Sequence, residues 1–347
     1  MKVVIDGSIP FVKNVFEPYA EVVYRDGAEI SNADVRDADA LLIRTRTRCN
    51  AALLDGSRVK IISAAAIGTD NIDVEYCSAH GIFHTNAAGC YAGGVMNYVF
   101  SALYGMAARK SIPLSGATFG IIGVGNCGSR VERMARSLGF KVLLYDPPRA
   151  ETEKTGLFCR DLGILLENSD IVSLHVPLNA ATRKMAGEEF FERMKMGAFF
   201  INTSRGEIVD EDALMNAIPK LGPVALDAWC NEPDINTRLM QMVDIATPHI
   251  AGYSQQGKQN GATYAVRTIA RFFDIKELLD FFPKTLNDEA EVVKLNTEGK
   301  TQGQIASIIQ YNYPVFTDDF MFRTNPKGFK ELRKNYQYRK EFYVDNY

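Results

Sequence analysis

The sequence of 347 residues lacks the features of several protein classes. Its six cysteines are scattered without a C-x-x-C pair, which indicates reduced thiols rather than a disulfide framework. Its four histidines show no metal-ligand spacing, so we expect no metal site. The net charge of −3 argues against nucleic acid as the main partner.

No apolar run is long enough for a membrane span, and the first residues, MKVVIDGSIP, lack the apolar region of a signal peptide. We therefore expect a cytoplasmic protein without a membrane partner. The remaining composition, 46% hydrophobic and 23% charged, is that of a globular protein, and the length suffices for two or three domains.

A glycine-rich turn, with Gly123, Gly125 and Gly128 in the pattern G-x-G-x-x-G, follows an apolar run at 117–122 and opens a helical pattern. This order of strand, turn and helix is typical of dinucleotide-binding units. The first glycine permits the tight turn, the second lets a pyrophosphate approach the backbone, and the third lets the helix pack against the strand. The helix N-terminus then offers unpaired N–H groups to the phosphates.

Asp146 ends the next apolar run, at a position where a carboxylate can accept both hydroxyls of an adenosine ribose. A 2′-phosphate about 4 Å from that carboxylate would cost about 4 kcal/mol at an effective dielectric of 20. The sequence therefore predicts NAD as the cofactor, with a preference over NADP of roughly a thousandfold that Arg149 can soften.

Apolar runs and helical patterns alternate along the chain, which predicts βαβ units and parallel sheets. We expect an α/β fold with two Rossmann-like or flavodoxin-like parallel-sheet domains and a small C-terminal α+β module. The predicted domains are a substrate domain of residues 1–92 and 250–282, an NAD-binding domain of residues 93–249, and a C-terminal module of residues 283–347. Within that module a basic helix is predicted over residues 328–344.

Three polar residues after predicted strands have the chemistry to act on a hydroxy acid. Arg205 can pair with a carboxylate, and His249 can remove a hydroxyl proton. Glu232 can bond to the other ring nitrogen of the histidine and fix its tautomer. Singly, a histidine after a strand is more often structural, and an arginine is usually part of a surface ion pair. Together, behind a dinucleotide motif, the three favour a dehydrogenase.

Three segments resemble signatures of the D-2-hydroxyacid dehydrogenases: NTSRGEIVD at 202–210, LDAWCNEP at 226–233 and TPHIAG at 247–252. The resemblance implies NAD-dependent oxidation of a small 2-hydroxy acid, with Arg205 and Glu232 catalytic and His249 the proton donor or acceptor. The residues predicted to bind the cofactor are Gly123, Gly125, Asn126, Cys127, Gly128, Asp146, Val176, Thr203, Ser204, Arg205, Asp227 and Gly252.

The resemblance also places Thr45 and Tyr253 on substrate positions, and Ala66 stands in the segment that resembles a threonine-bearing substrate loop. The segment 90–97, in which Asn97 replaces a glutamate, departs from the family pattern, and we interpret these departures as lying on the substrate side.

Four further motifs resemble one branch of the family: GVGN at 123–126, LLYDPPRA at 143–150, HIAGY at 249–253 with GK at 257–258, and LRKNY at 332–336. This implies a phosphorylated hydroxy acid as substrate and a homodimer formed through the C-terminal module. An apolar series in the predicted terminal helix also indicates a partner surface, unless that helix covers its own chain. The series is Phe329, Leu332, Tyr336, Phe342 and Tyr343.

A substrate phosphate requires cations besides Arg205. Arg44 ends a strand of the first domain on the side where ligands bind, and Arg46 and Arg48 share its face if the stretch is extended. A neighbouring carboxylate is the alternative partner of Arg44. The basic residues of the terminal helix are a second source, although a solvated surface is the more common interpretation of such a helix. They are Lys327, Lys330, Arg333, Lys334, Arg339 and Lys340.

Two other functions remain open from the sequence. One is a different 2-hydroxyacid dehydrogenase that acts on phosphoglycerate or glycerate. The other is an NAD-sensing interaction protein with little turnover, against which the intact set of Arg205, Glu232 and His249 argues.

Overall fold

The computed structural model describes residues 1–283 and 292–344. The described residues form two compact units. The first unit is drawn from Met1–Tyr91 and Gln255–Ala290, and the second from Ala92–Ser254 and Glu291–Tyr347. None of the described helices is long and apolar enough to cross a membrane.

Strands and helices alternate over most of the described chain. The strands are β1 (Lys2–Asp6), β2 (Glu21–Arg25), β3 (Ala40–Ile43), β4 (Ile61–Ala64), β5 (Phe83–Asn86), β6 (Thr118–Ile122), β7 (Lys141–Tyr145), β8 (Ile171–Leu174), β9 (Phe199–Asn202), β10 (Val224–Leu226), β11 (Ile245–Ala246), β12 (Val293–Leu295) and β13 (Phe342–Val344). The α-helices are α1 (Asn32–Val35), α2 (Ala51–Leu54), α3 (Val74–Ala79), α4 (Ala92–Lys110), α5 (Asn126–Ser137), α6 (Pro147–Glu153), α7 (Leu162–Asn168), α8 (Glu188–Arg193), α9 (Glu211–Ala217), α10 (Thr237–Met242), α11 (Gln255–Phe272), α12 (Gln302–Asn312), α13 (Val315–Thr324) and α14 (Phe329–Lys334).

The first unit contains a parallel sheet in the order β2-β1-β3-β4-β5. Every residue of β3 and β4 is buried, because one apolar cluster covers each face of the sheet. Helix α11 supplies Ala265, Val266 and Ile269 to one of these clusters. Continuous apolar runs of this kind are what a parallel sheet covered on both faces requires.

The second unit contains a parallel sheet in the order β11-β10-β9-β8-β6-β7. The chain runs from β6 to β7 on one side and then crosses to β8 on the other side of β6. This reversal is the topological switch point at which α/β sheets bind ligands, beyond the carboxyl ends of the strands. The predicted α/β fold with two parallel sheets is therefore confirmed.

The C-terminal segment adds α12, α13, α14 and a small parallel pair of β12 with β13. The predicted basic helix over 328–344 is wrong, because α14 ends at Lys334 and the chain returns as a strand. Phe342 and Val344 are buried while Tyr343 between them is only half-buried, which is the two-residue period of a strand.

This segment packs within the second unit and is not a compact unit of its own. Ile309 and Phe342 lie in the same apolar cluster as helix α4, and Phe322 and Phe329 lie in the cluster that contains Trp229. Phe329 and Phe342 are almost fully buried by their own chain, so their apolar character does not indicate a partner. Residues 284–291 and 345–347 of the predicted module lie outside the described residues.

Candidate active site

The glycine turn after β6 has the shape that a dinucleotide needs. Gly123 has a φ of 84°, and a Cβ there would lie 2.7 Å from the backbone of His175. A Cβ on Gly128 would overlap the carbonyl oxygen of Gly123, whereas a Cβ on Gly125 would meet no described atom within 4 Å. The turn is thus packed tightly against the sheet but open at Gly125, the N-cap residue of helix α5. The open space at Gly125 leaves room for a phosphate beside the helix N-terminus.

Asp146 links the end of β7 to the glycine turn. Its Oδ2 accepts a hydrogen bond of 2.7 Å from the N–H of Val124, and its Oδ1 accepts one of 3.1 Å from the N–H of Arg149, where it caps helix α6. A carboxylate offers about four acceptor positions, so acceptors remain for two ribose hydroxyls. The side chain is half-buried, and the two backbone bonds fix its orientation.

The guanidinium of Arg149 is already engaged within the unit. Its Nη1 donates to the carbonyl of Val124 at 2.6 Å, and its Nε donates to Glu153 at 2.6 Å. The hydrogen bond to Glu153 raises the pKa of Arg149 further. Because the carboxylate of Glu153 already balances its charge, we expect Arg149 to attract a 2′-phosphate less strongly than its sequence position suggests.

Two predicted cofactor residues near the turn carry no charge. Burial raises the pKa of Cys127 to about 11, despite the nearby cations of Arg130 and Arg205, so its thiol stays protonated. The predicted residue Val176 follows β8, and its side chain would be 2.8 Å from a Cβ on Gly123. It therefore forms part of the wall behind the turn.

The segment after β9 is ordered by Asn202, a residue that sequence analysis did not select. Its side chain accepts from the N–H of Ser204 at 3.0 Å and donates to the carbonyl of Arg205 at 3.0 Å. The hydroxyl of Ser204 donates to Leu174 at 2.7 Å. The hydroxyl of Thr203 is buried and has no hydrogen-bond partner among the described residues, so it is available to a ligand. The sequence signals for Asn202 are an amide at the end of an apolar strand and its place as the first residue of the segment NTSRGEIVD.

Asp227, at the end of β10, organises the loop that carries His249. Its fully buried carboxylate accepts hydrogen bonds from the hydroxyl of Thr247 at 2.6 Å and from the N–H groups of Ile250 and Ala251 at 2.8 Å each. Its carbonyl accepts from the N–H of His249 at 2.8 Å. Burial raises the pKa of Asp227, although these donors and the histidine oppose that effect.

Glu232 and His249 form the central pair of the site. Nδ1 of His249 lies 3.0 Å from Oε1 and 2.9 Å from Oε2 of Glu232, and the N–H of Trp229 donates to Oε1 at 3.0 Å. Burial acts to raise the pKa of Glu232, but His249, the bond from Trp229 and the charge of Arg333 together hold that pKa below its usual value. The carboxylate thus stays ionised and fixes the histidine with Nδ1 protonated and Nε2 as the free acceptor.

His249 adopts an unusual backbone conformation, with a φ of 55°. Residues other than glycine rarely occupy this region, and such strain is often found at functional sites. The bonds to Asp227 hold the loop in this conformation, and the side chain remains 26% exposed. The ring is therefore fixed on one side and accessible on the other.

Two predicted residues follow the histidine in the same loop. The backbone of Gly252 is half-buried, and its carbonyl carbon would lie 3.0 Å from a Cβ on Gly94, which explains a glycine in α4 at that point. Tyr253 is 9% exposed, and its ring lies 5.9 Å from the ring of Tyr336 and 6.2 Å from that of Tyr338. The C-terminal segment thus packs against the loop that carries the histidine.

Asn97 has a structural role that differs from our expectation. Its buried side chain donates to the carbonyl of Phe342 at 2.7 Å and accepts from the N–H of the same residue at 3.0 Å. It therefore pairs with β13 as a neighbouring strand would. This departure from the family pattern ties the C-terminal segment to α4, and we correct its assignment to the substrate side.

The predicted substrate residues of the first unit lie on its strand ends. Nη1 of Arg44 lies 3.5 Å from both the carbonyl and the hydroxyl of Ser8, and Thr45 is exposed. Ala66 is buried, and its carbonyl accepts a hydrogen bond of 2.9 Å from the N–H of Ala87, which follows β5. Arg46 pairs with Asp26 at 2.9 Å.

Residues 44–48 form a turn rather than an extended stretch, so the expectation that alternate arginines share one face is wrong here.

Among the described residues, no group of three or more metal-ligating side chains is suited to hold a metal ion.

Known proteins resemble the chain over nearly its whole length. The model of the D-isomer specific 2-hydroxyacid dehydrogenase, NAD binding domain, matches residues 100–251. An erythronate-4-phosphate dehydrogenase of Bacteroides fragilis is 39% identical over 348 residues, which covers 98% of this chain and 97% of that protein. One from Cronobacter sakazakii is 37% identical over 352 residues, which covers 99% of this chain and 92% of that protein.

Solved structures match the fold. The NAD⁺-bound 3-phosphoglycerate dehydrogenase of Entamoeba histolytica has a TM-score of 0.68 and 27% identity, over 82% of this chain and 99% of that one. The D-lactate dehydrogenase of Aquifex aeolicus, in complex with NAD and lactic acid, has a TM-score of 0.67 and 26% identity, over 81% of this chain and 98% of that one. The chain therefore belongs to the D-isomer specific 2-hydroxyacid dehydrogenase family and is an NAD-dependent oxidoreductase.

Proposed function

We propose that the protein oxidises 4-phospho-D-erythronate to 2-oxo-3-hydroxy-4-phosphobutanoate with NAD, a step toward pyridoxal 5′-phosphate. Relatives named erythronate-4-phosphate dehydrogenase, identical at 35–39% of positions, support the substrate. The observation that carries the chemistry is the pair of Glu232 and His249 beyond the strand ends that also carry the dinucleotide turn.

The cofactor would be held by the open glycine turn, by Asp146 at the ribose and by the unsatisfied hydroxyl of Thr203. NAD bound there supplies the acceptor for the hydride that leaves C2 of the substrate. Asp227 acts as a positioning residue in this proposal, since its carboxylate is fully buried and holds the histidine loop.

The proton of the 2-hydroxyl passes to Nε2 of His249. Because Glu232 faces Nδ1, the proton on that nitrogen stays in place and Nε2 acts as the base. The imidazolium that forms is stabilised by a carboxylate already oriented by the N–H of Trp229. In the reverse direction the same nitrogen returns the proton.

Arg205 binds the substrate carboxylate. Its Nη1 donates to the carbonyl of Ser204 at 2.9 Å, and Asn202 holds its own carbonyl, so both the backbone and the guanidinium are oriented. A planar guanidinium can then form a two-point contact with a carboxylate.

We also propose a homodimer, in the cytoplasm, formed through the C-terminal segment. The supporting surface differs from the predicted one: Tyr311, Phe320 and Met321, on α12 and α13, are 89%, 63% and 49% exposed. Large apolar side chains exposed on one segment are typical of an interface. Phe320→Lys with Tyr311→Lys should shift the mass measured by light scattering from dimer to monomer. Met196→Lys, at an 84% exposed methionine elsewhere, is the matched control. A double variant that is still dimeric would contradict this surface.

The function is tested by NADH formation with four substrates: 4-phospho-D-erythronate, D-erythronate, 3-phosphoglycerate and glycerate. We expect the highest kcat/KM for 4-phospho-D-erythronate. A higher value for 3-phosphoglycerate or glycerate would replace our substrate. Tight NAD binding without turnover of any of them would favour an NAD-sensing protein.

A further inference from the structure

The C-terminal segment contains three arginines, and the structure separates one of them from the other two. Arg339 forms a two-point ion pair with Asp318 at 2.6 and 2.8 Å. Arg323 pairs with Asp319 at 2.8 Å and donates to two backbone carbonyls. Both guanidinium groups are used by the fold.

Arg333, on α14, is not neutralised in this way. Within residues 1–283 and 292–344, no carboxylate lies at ion-pairing distance from its guanidinium, and its buried Nε has no hydrogen-bond partner. Its guanidinium carbon lies 5.7 Å from the ring of Tyr253 and 5.7 Å from the ring of Phe329. Aromatic contacts of this kind orient a guanidinium without using its N–H donors.

The position of Arg333 relates it to the site. Tyr253, against which it packs, follows His249 by four residues in the same loop. The charge of Arg333 is also among the causes that lower the pKa of Glu232. The oxygens of Glu232 accept hydrogen bonds from His249 and Trp229 and form no ion pair with Arg333. The guanidinium therefore lies near the pair of Glu232 and His249, but its N–H donors are not used by that pair.

The neighbouring cations are placed differently. Lys330 and Lys334, on the same short helix, are both exposed to solvent. Of the basic residues on α14, Arg333 alone is half-buried against an aromatic residue of the histidine loop. A guanidinium that has an unpartnered N–H group and no carboxylate at ion-pairing distance is suited to bind an anion with several oxygens, and a phosphate is such a group.

We propose that Arg333 binds the phosphate group of the substrate, so that the C-terminal segment contributes a specificity-determining residue to the active site. This inference rests on the proposed phosphorylated substrate and assigns one contact with its phosphate group to Arg333. Arg205 binds the carboxylate at the reacting end, and Arg333 binds the anion at the other end. An enzyme of this family that lacks the segment would lack this contact.

The test compares Arg333→Met with Lys334→Met, which removes the same charge from an exposed position of the same helix. For Arg333→Met we expect KM for 4-phospho-D-erythronate to rise about tenfold to a hundredfold, with KM for D-erythronate within about twofold of wild type. Lys334→Met should leave both values unchanged within about twofold. Arg333→Lys should lie between wild type and the methionine variant, because a lysine keeps the charge but loses the planar fork.

An equal rise in KM for both substrates, or a fall in kcat alone, would overturn the inference, since either result assigns Arg333 to the carboxylate or to Glu232. The failure of the proposed function is recognised separately in the wild-type protein. If the wild type prefers another hydroxy acid, inorganic phosphate is used as a competitive inhibitor against that substrate. Weaker inhibition in Arg333→Met than in Lys334→Met supports the phosphate site, and equal inhibition overturns it.

Discussion

The loops beyond the strand ends differ between the two units. In the second unit the loop of His249 is fixed by the buried carboxylate of Asp227, with hydrogen bonds of 2.6 to 2.8 Å. In the first unit the loop of Arg44 is held by a neutral group, because the side-chain amide of Asn71 donates to the carbonyls of Arg44 at 3.1 Å and Thr47 at 2.7 Å. The buried carboxylate thus anchors the loop that carries the predicted base, and a group that transfers a proton must be placed in advance.

The largest effect is expected from the fixed loop. His249→Asn should lower kcat about a hundredfold to ten-thousandfold while NAD binding stays nearly unchanged, because the base at Nε2 is lost and the loop is held by backbone bonds. Stopped-flow hydride transfer and a fluorescence titration of NAD measure the two quantities. His80→Asn, at an exposed histidine of the first unit, is the control. A variant with near wild-type turnover would exclude His249 as the base.

The next effect concerns the second unit's cofactor loop. Asp146→Asn should narrow the preference for NAD over NADP at least tenfold, since the charge that repels a 2′-phosphate is lost while an amide oxygen can still cap α6. Asp161→Asn, at the cap of α7, is the matched control because it changes a similar cap away from the turn. Titration of both cofactors gives the ratio. An unchanged ratio in Asp146→Asn would mean that another group reads the ribose.

Much of this comparison could be predicted from the sequence, because buried parallel strands are continuous apolar runs. The apolar run at 117–122 forms β6, Thr118–Ile122, and α5 follows the glycine turn as predicted. The sequence also suggested that Glu232 and His249 pair, and the structure places them 2.9 Å apart, although their catalytic roles remain predictions.

The remainder depends on contacts between distant parts of the chain. Tyr253, the aromatic neighbour that relates Arg333 to the histidine loop, lies 80 residues before it, so local pattern gave no reason to separate Arg333 from the other basic residues. The same limit explains the incorrect helix over 328–344, where the strand β13 is stabilised by Asn97 of a helix far away in sequence. At 44–48 the alternating arginines suggested extended chain, but Arg46 pairs with Asp26 from a turn.

A smaller effect is expected from Arg44, in the loop after β3 of the first unit. Arg44→Met should raise KM for 4-phospho-D-erythronate about tenfold or more and change KM for D-erythronate little, since a charge-assisted bond to phosphate is lost. Arg46→Met is the matched control, because it removes the same charge from an exposed position two residues away. Comparable losses for both substrates in Arg44→Met would show that this arginine supports the fold or binds the carboxylate.

The smallest effect tests the electrostatic cost of burying charge in the second unit. Burial raises the pKa of Asp318 to about 6, although Arg339 opposes it, whereas the exposed pair of Arg46 and Asp26 in the first unit carries no comparable burial. A carboxyl group whose folded pKa lies above its unfolded value of about 3.9 binds its proton more tightly in the folded state. Its contribution to stability is therefore present at low pH and is lost as the pH rises through about 6.

Between about pH 5 and pH 7 this loss amounts to about 1 kcal/mol of the free energy of unfolding. Asp318→Asn cannot titrate, so its stability relative to wild type should improve by about that amount over the same interval. Urea unfolding at the two pH values measures the difference, with Glu298→Gln, at an exposed position of the same segment, as the control. If wild type and Asp318→Asn change in parallel, the ion pair with Arg339 keeps Asp318 charged throughout, because two-point pairing at 2.6 and 2.8 Å then outweighs its burial.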